Sequence, residues 1–217
     1  MSTTLNYIHD AGYPFQVAAT RYIPKDAAED GLTLILAHAN RLHKEPCGIL
    51  AQSLIELSQN NGRNRSLSIR DIWSIESPIH GETEGPDRGD VGVRHDNEGS
   101  DWEYSRAVLS FLDSQPDGVN FYERDIVAIG HGQGGNTLAL LHALKPRLPI
   151  ISFVLLNPDI DSSSAPARAY EYAAPRVMDY QPRVVDVLHK LYARGPPVHL
   201  VLSAADDIRA KRHADTM

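Results

Sequence analysis

The segment 125–140, DIVAIGHGQGGNTLAL, constrains the fold of this chain more than any other. An apolar run at Ile126–Ile129 leads into a turn rich in glycine, and a helical pattern follows from Gly134 to about Leu144, where Pro146 ends it. Glycine is favoured where the backbone must turn sharply, because it has no Cβ to clash. The segment therefore predicts a strand, a tight turn and a helix in direct succession.

Further apolar runs alternate with helical patterns along the chain. The predicted strands are Leu32–Ala37, Ile69–Ile75, Ile151–Leu156 and Val198–Leu202, with an antiparallel edge strand at Phe15–Ile23, and the other helices are Gly48–Leu57, Trp102–Leu112 and Arg183–Tyr192. Strands that are apolar throughout and separated by helices are typical of a parallel sheet buried on both faces. The pattern predicts an α/β fold with a mainly parallel twisted sheet and helices on both faces, in one domain spanning residues 1–217.

The charge balance limits the partners of the chain. It has 21 basic and 28 acidic residues, which gives a net charge of -7 and disfavours a surface for nucleic acid or anionic membranes. A small apolar or neutral organic ligand, or another protein, is expected instead. Cys47 is the single cysteine, so internal disulfides are excluded. The sequence shows no secretory signal and no apolar run of transmembrane length, which favours a cytoplasmic location.

Neither a cofactor nor a metal ion is expected. The residues GHGQGG at 130–135 can be aligned with the dinucleotide-binding pattern G-x-G-x-x-G, but the predicted strand before them is not the first of the sheet, and the segment lacks the lysine of a phosphate-binding loop. His38 and His43 are five residues apart in a predicted loop, and the other histidines form neither an HExxH pattern nor pairs at short spacing.

The glycine-rich turn fits the frame of a nucleophile elbow, G-x-S-x-G, except at its centre. The frame reads Gly130, His131, Gly132, Gln133 and Gly134, so a glycine stands where the attacking serine would be. Covalent catalysis needs an oxygen, sulfur, nitrogen or carboxylate that attacks the substrate, and glycine has no such group. The sequence therefore predicts the scaffold of an attacking residue without the residue itself.

The segment 34–45, LILAHANRLHKE, begins as a buried strand and ends as a polar loop. In hydrolases with a nucleophile elbow, a His-Gly pair after such a strand directs a backbone N–H into the oxyanion hole. In this chain His38 is followed by Ala39, so the conformational freedom of glycine is lost. Asn40 comes next, and its side-chain amide either donates to an oxyanion or closes a turn.

Together with DIWSIESPIHGET at 71–83 and AIGHGQGG, this segment resembles the α/β-hydrolase fold family. It is most similar to a fungal branch of toxin-biosynthesis hydrolases and peroxisomal lipase-like proteins, whose members carry HGN-x-F-HKE, D-x-P-x-HGDS and GHSMGG at these places. The resemblance covers roughly residues 15–160 and allows a peroxisomal location. It implies that the N–H of Gln133 contributes to the oxyanion hole, with a second N–H from Ala39 or Asn40.

The resemblance also implies where an acid and a base would lie. The acid would be Asp206 or Asp207 after the last predicted strand, or Asp159 after the strand before it. The base would be a histidine after one further strand, and His213 follows the aspartates too soon for that. Residues 160–195 are interpreted as the remnant of a lid, in a chain reduced at its carboxyl-terminal part. Two other histidines, His80 and His131, are interpreted as structural.

Three hypotheses of function follow. The leading one is a degenerate hydrolase-like protein with weak or no ester hydrolase activity. The second is a lyase, isomerase or cyclase of fungal secondary metabolism, in which the elbow amides and Asn40 polarise a carbonyl while His38, His43 or Glu45 moves a proton. The third is a non-catalytic binding protein.

Overall fold

The computed structural model describes residues 2–9, 16–39, 42, 45–60, 68–77, 101–158 and 184–201. An open seven-stranded sheet, ordered β1-β2-β4-β3-β5-β6-β7, forms its centre. The strands are β1 (Ser2–His9), β2 (Val17–Pro24), β3 (Leu32–Ala37), β4 (Ile69–Ile75), β5 (Ile126–His131), β6 (Ile150–Leu156) and β7 (Val198–Val201), and the helices are α1 (Glu45–Asn60), α2 (Asp101–Asp113), α3 (Gln133–Leu144) and α4 (Val184–Arg194). The strands from β3 to β7 pair in parallel, whereas β1 and β2 are antiparallel additions. The predicted α/β fold class is confirmed.

The amino-terminal edge of the sheet differs from the prediction. The run at Phe15–Ile23 was expected to be the edge strand, but β2 lies one strand inside the edge, and β1 pairs with its whole length. The segment of β1, STTLNYIH, is mostly polar and its side chains are exposed or half-buried. Because it lacks an apolar run, only its backbone pairing with β2 identifies it as a strand.

The core consists of two layers that the sheet separates. Neighbouring residues of a strand point to opposite faces, and in β4 the Ile72 side chain packs with Ala51 and Ile55 of α1. Trp73 packs on the other face, which α2, α3 and α4 cover with residues such as Phe111. The prediction of helices on both faces is therefore correct, and among the described helices α1 covers one side.

A buried ionic network ties together the amino ends of the central strands. The Asp71 carboxylate is fully buried and accepts hydrogen bonds from Arg21 at 2.7 and 3.0 Å and from the Thr33 hydroxyl at 2.7 Å. Arg124 adds a contact of 3.3 Å to the same carboxylate. Asp117, which is 53% exposed, binds Arg21 from the outside at 2.9 Å. The network lies at the opposite end of the sheet from the glycine-rich turn, so it supports the fold and not the candidate site.

The topology places the glycine-rich turn where ligands bind in open α/β sheets. The chain leaves β3 through α1 to reach β4 on one side, and later returns to form β5 on the other side of β3. Crevices at the carboxyl ends of parallel strands open where the strand order reverses in this way. Ala39, in the segment after β3, and Gly132, directly after β5, lie against each other at that point. Among the described residues, no helix is both long and apolar enough to cross a membrane.

Candidate functional site

The turn between β5 and α3 is a strand-to-helix elbow, here defined as residues 130–134. Its outer glycines allow close approach of the backbone: a Cβ on Gly130 would lie 2.5 Å from the Gly134 backbone, and a Cβ on Gly134 would overlap the Ala37 carbonyl. At the centre, Gly132 has φ 52° and ψ -121°, a conformation that favours glycine. Its N–H donates to the Leu156 carbonyl at 2.9 Å, and its carbonyl accepts from the Gly135 N–H at 3.0 Å. Both backbone groups of Gly132 are therefore hydrogen-bonded at the position where a hydrolase would place its nucleophile.

Ala39 restricts the space for a side chain at position 132. A Cβ built on Gly132 would lie 3.0 Å from the Ala39 Cβ, whereas non-bonded carbon atoms pack best at about 3.5–4.0 Å. Ala39 stands where the resembled family carries the glycine of its HGN motif, and Gly132 stands where that family carries serine. These two differences from the family pattern are thus in direct contact, whereas nothing in the sequence connects them.

The His38 ring is buried, and both of its nitrogens are engaged. Nε2 accepts a hydrogen bond from the Ser77 N–H at 3.0 Å, so this nitrogen carries no proton. Nδ1 lies 2.9 Å from the Ala39 carbonyl, to which it donates as the protonated nitrogen of the neutral ring. His38 thereby joins the ends of β3 and β4 and holds the backbone of Ala39 beside the elbow.

Tyr104 of α2 completes this junction, and it was missed in the sequence. Its hydroxyl donates to the Ile75 carbonyl at 2.6 Å and accepts from the His38 N–H at 3.2 Å. Complete burial raises the pKa of the Tyr104 phenol well above its ordinary value. In the sequence Tyr104 is one of several aromatic residues on a predicted helix face, and no motif marks it as the partner of His38.

The amide predicted for the oxyanion hole lies at the start of a helix. Gln133 is the first residue of α3, and the first four N–H groups of a helix have no acceptor within it. The positive end of the helix dipole favours negative charge there. The participation of Gln133 in an oxyanion hole, with a second N–H from Ala39 or Asn40, stays a prediction.

A cavity of about 320 Å³ opens beside the elbow, on the side of the sheet that α1 covers. We call it the elbow cavity; most of its lining is apolar, and its residues are His38, Leu42, Pro46, Cys47, Leu50, His131, Leu156, Asn157 and Val201. His131 is an exposed residue at the end of β5 and contributes the polar rim together with Asn157. His131, interpreted from the sequence as structural, thus forms part of the cavity wall. His38, also singled out in the sequence, lines the cavity as well, whereas the remaining lining residues were missed; they come from the segment after β3, from α1 and from the ends of β6 and β7.

Several predicted site residues lie outside the described part of the chain. These are Asn40, His43, Asp206 and Asp207, as well as Asp159, His80 and His213. Glu45 is described only as the first residue of α1. Of the proposed lid remnant at 160–195, the structure describes α4 and the turn after it. Within the described residues, no three His, Cys, Asp or Glu side chains are grouped as metal ligands.

Comparisons with known proteins identify the fold. A serine hydrolase from Staphylococcus aureus, the fluorophosphonate-binding protein FphF, matches with 13% identity over 99% of this chain and 86% of its own, at a TM-score of 0.56. Est1E from Butyrivibrio proteoclasticus, solved with ferulic acid, matches with 20% identity over 71% of this chain and 52% of its own, at a TM-score of 0.50. The chain has the α/β-hydrolase fold and is hydrolase-like in architecture.

Other similar structures are much longer than the part that this chain matches. The chain spans 51% of the peroxisomal α/β-hydrolase Lpx1 from Saccharomyces cerevisiae, with 16% identity over 90% of this chain and a TM-score of 0.48. It spans 40% of a membrane phospholipase A and 41% of a haloalkane dehalogenase from Agrobacterium tumefaciens. No protein-family model matches the sequence, and a search of curated proteins finds no match.

Proposed function

We propose that this protein is an α/β-hydrolase-like protein whose elbow does not carry out the covalent acyl transfer of serine hydrolases. The supporting observation is Gly132, which occupies the centre of a correctly formed elbow at φ 52° and has no side chain. Removing the nucleophile from a Ser-His-Asp triad lowers kcat by about 10⁶, and only binding and oxyanion stabilisation remain. Weak or absent ester hydrolysis follows.

The contact between Ala39 and position 132 supports the same proposal. A serine at 132 would need room for its Cβ, and the Ala39 methyl leaves 3.0 Å. In this proposal the glycine at position 132 and the alanine at position 39 depend on each other, because the Ala39 methyl lies against the place where the nucleophile side chain would project. The elbow then serves as a structural turn and not as the mount of a nucleophile.

The role of His38 in this proposal is to position the loop after β3. To act as a base it would have to exchange the Ser77 N–H for a substrate proton, leaving a buried backbone donor without its acceptor. That cost disfavours the lyase, isomerase or cyclase alternative as far as it depends on His38. A non-catalytic binding protein is the better second candidate, because the elbow cavity offers an apolar volume beside the turn.

The finer assignment follows from the sequence motifs. We place the protein in the fungal branch of toxin-biosynthesis and peroxisomal lipase-like hydrolases, with a neutral organic molecule as its ligand. The net charge of -7 supports a neutral over an anionic ligand. A cytoplasmic location stays a prediction.

The test is hydrolysis of p-nitrophenyl esters by the full chain, with and without a serine-directed phosphonate. We expect turnover no higher than that of a Cys47→Ala variant, which removes the thiol of the elbow cavity, and no effect of the phosphonate. Turnover at the rate of an ordinary esterase that the phosphonate abolishes would refute the proposal. A serine hydrolase assayed in parallel shows that the reagents are active.

A further inference from the structure

We propose that the elbow cavity binds a neutral molecule of about nine to fifteen heavy atoms, with an apolar body and one hydrogen-bonding group at its end. Medium-chain alcohols and ketones have this chemistry. This proposal rests on the proposed function in one respect, that the ligand is neutral. Binding in the cavity requires no nucleophile at position 132.

The size of the cavity favours a small molecule over a peptide. Its volume of about 320 Å³ falls at the lower end of the range for ligand pockets, about 300–1,000 Å³. One turn of an α-helix, about 10 Å across and 5.4 Å high, needs about 400 Å³. A helix therefore does not fit, whereas an unbranched chain or a single ring does.

The lining determines the polarity of the ligand. Pro46, Cys47 and Leu50 come from the first turns of α1, and Leu156 and Val201 come from the ends of β6 and β7. None of the described lining residues carries a permanent charge, so an ionic ligand would lose its hydration without gaining a counter-ion. An apolar body, by contrast, gains from contact with these side chains.

One end of the cavity can bind a polar group. His131, the last residue of β5, and Asn157, which directly follows β6, line it; in the sheet His131 pairs with Leu156, the neighbour of Asn157. An imidazole ring both donates and accepts, so it pairs with a hydroxyl or with a carbonyl. The polar end of the ligand is thereby placed beside the elbow, and its apolar end lies toward α1.

Cys47 provides a direct measurement, because it is the single thiol of the chain and forms part of the cavity wall. We propose to alkylate the native protein with N-ethylmaleimide, followed by intact mass, in the presence of 1-octanol. At ten times its Kd, octanol should slow alkylation about tenfold and raise Tm by about 3–6 °C. An unchanged Tm and alkylation rate at the solubility limit of octanol would overturn the proposal.

Two neighbouring substitutions in α1 form a matched pair. Leu50→Trp fills the cavity and should abolish both effects of octanol, whereas Ile49→Trp, at a side chain that is 76% exposed, should leave them intact. His131→Ala should weaken octanol binding about three- to tenfold, the loss of one hydrogen bond. If the Leu50→Trp variant responded to octanol like the wild type, the site would lie elsewhere and the proposal would be wrong.

Failure of this proposal is distinguishable from failure of the proposed function. Absence of octanol binding, with no phosphonate-sensitive ester turnover, refutes the cavity proposal alone. Octanol binding together with phosphonate-sensitive turnover refutes the loss of acyl transfer and leaves the cavity proposal standing.

Discussion

The contact between position 132 and Ala39 predicts an energetic coupling that a double-mutant cycle measures. Gly132→Ala forces a side chain into a left-handed backbone conformation, which costs about 1–3 kcal/mol. It also brings two methyl groups to 3.0 Å, and overpacking of this kind costs about 1–3 kcal/mol. Ala39→Gly removes one of those methyl groups at a cost of about 1 kcal/mol from lost burial and added chain entropy.

The double variant should therefore be more stable than the sum of the two single changes, by about 1–2 kcal/mol, since it keeps the backbone strain but loses the crowding. The assay is urea unfolding of the four proteins at fixed pH, with equal m values as the check on two-state behaviour. Gly135→Ala is the matched control, because its Cβ would meet Pro158 at an ordinary 3.4 Å. The changes in the free energy of unfolding caused by Gly135→Ala and by Ala39→Gly should add to within about 0.5 kcal/mol. A coupling below 0.5 kcal/mol between positions 39 and 132 would refute the argument that Ala39 closes the nucleophile position.

Three further predictions concern the rest of the fold and the elbow. Asp71→Asn should lower the free energy of unfolding by about 3–5 kcal/mol, because it leaves two arginines beside a buried neutral amide. Asp117 is the exposed partner of Arg21, and Asp117→Asn should cost less than about 1 kcal/mol in the same urea assay. Burial lowers the pKa of His142 below its ordinary value of 6.5, so the imidazole binds a proton more readily in the unfolded chain than in the folded one. The free energy of unfolding should therefore fall as the pH drops below about 6.5, and His142→Gln should flatten that part of the pH profile. An unchanged slope in the variant would contradict this role of His142. The double variant Gly132→Ser, Ala39→Gly should fold yet gain no phosphonate-sensitive ester turnover, because both ring nitrogens of His38 remain hydrogen-bonded to the backbone. Esterase activity in this variant would mean that another residue of the chain acts as the base.

Much of the fold was predictable because buried parallel strands leave a strong pattern. The apolar runs at β3 and β4 were placed with the bounds that the structure shows, and the glycine spacing located the turn before α3. The strand β1 could not be found, because a polar segment becomes a strand only through its pairing with β2. Strand order could not be read from any single run either, since it depends on contacts between segments distant in the chain.

The candidate site was less predictable than the fold. The missing nucleophile was evident at Gly132, but the contact with Ala39 is a distance between residues 93 positions apart in number and has no signature in either motif. His38 was considered as a proton carrier because histidine titrates near neutral pH. Its hydrogen bonds to the Ser77 N–H and the Ala39 carbonyl depend on how β3 and β4 end, which the sequence pattern does not specify.

The central claim is that the elbow presents no attacking group to a substrate. It is tested most directly by mixing the full chain with p-nitrophenyl acetate, quenching in acid and mapping acetylated peptides by mass spectrometry. We expect no acetyl group that forms and disappears with turnover on any residue near the elbow, including the Cys47 thiol. A transient acetyl group on a serine, threonine or cysteine side chain, at the rate of ester hydrolysis, would contradict it.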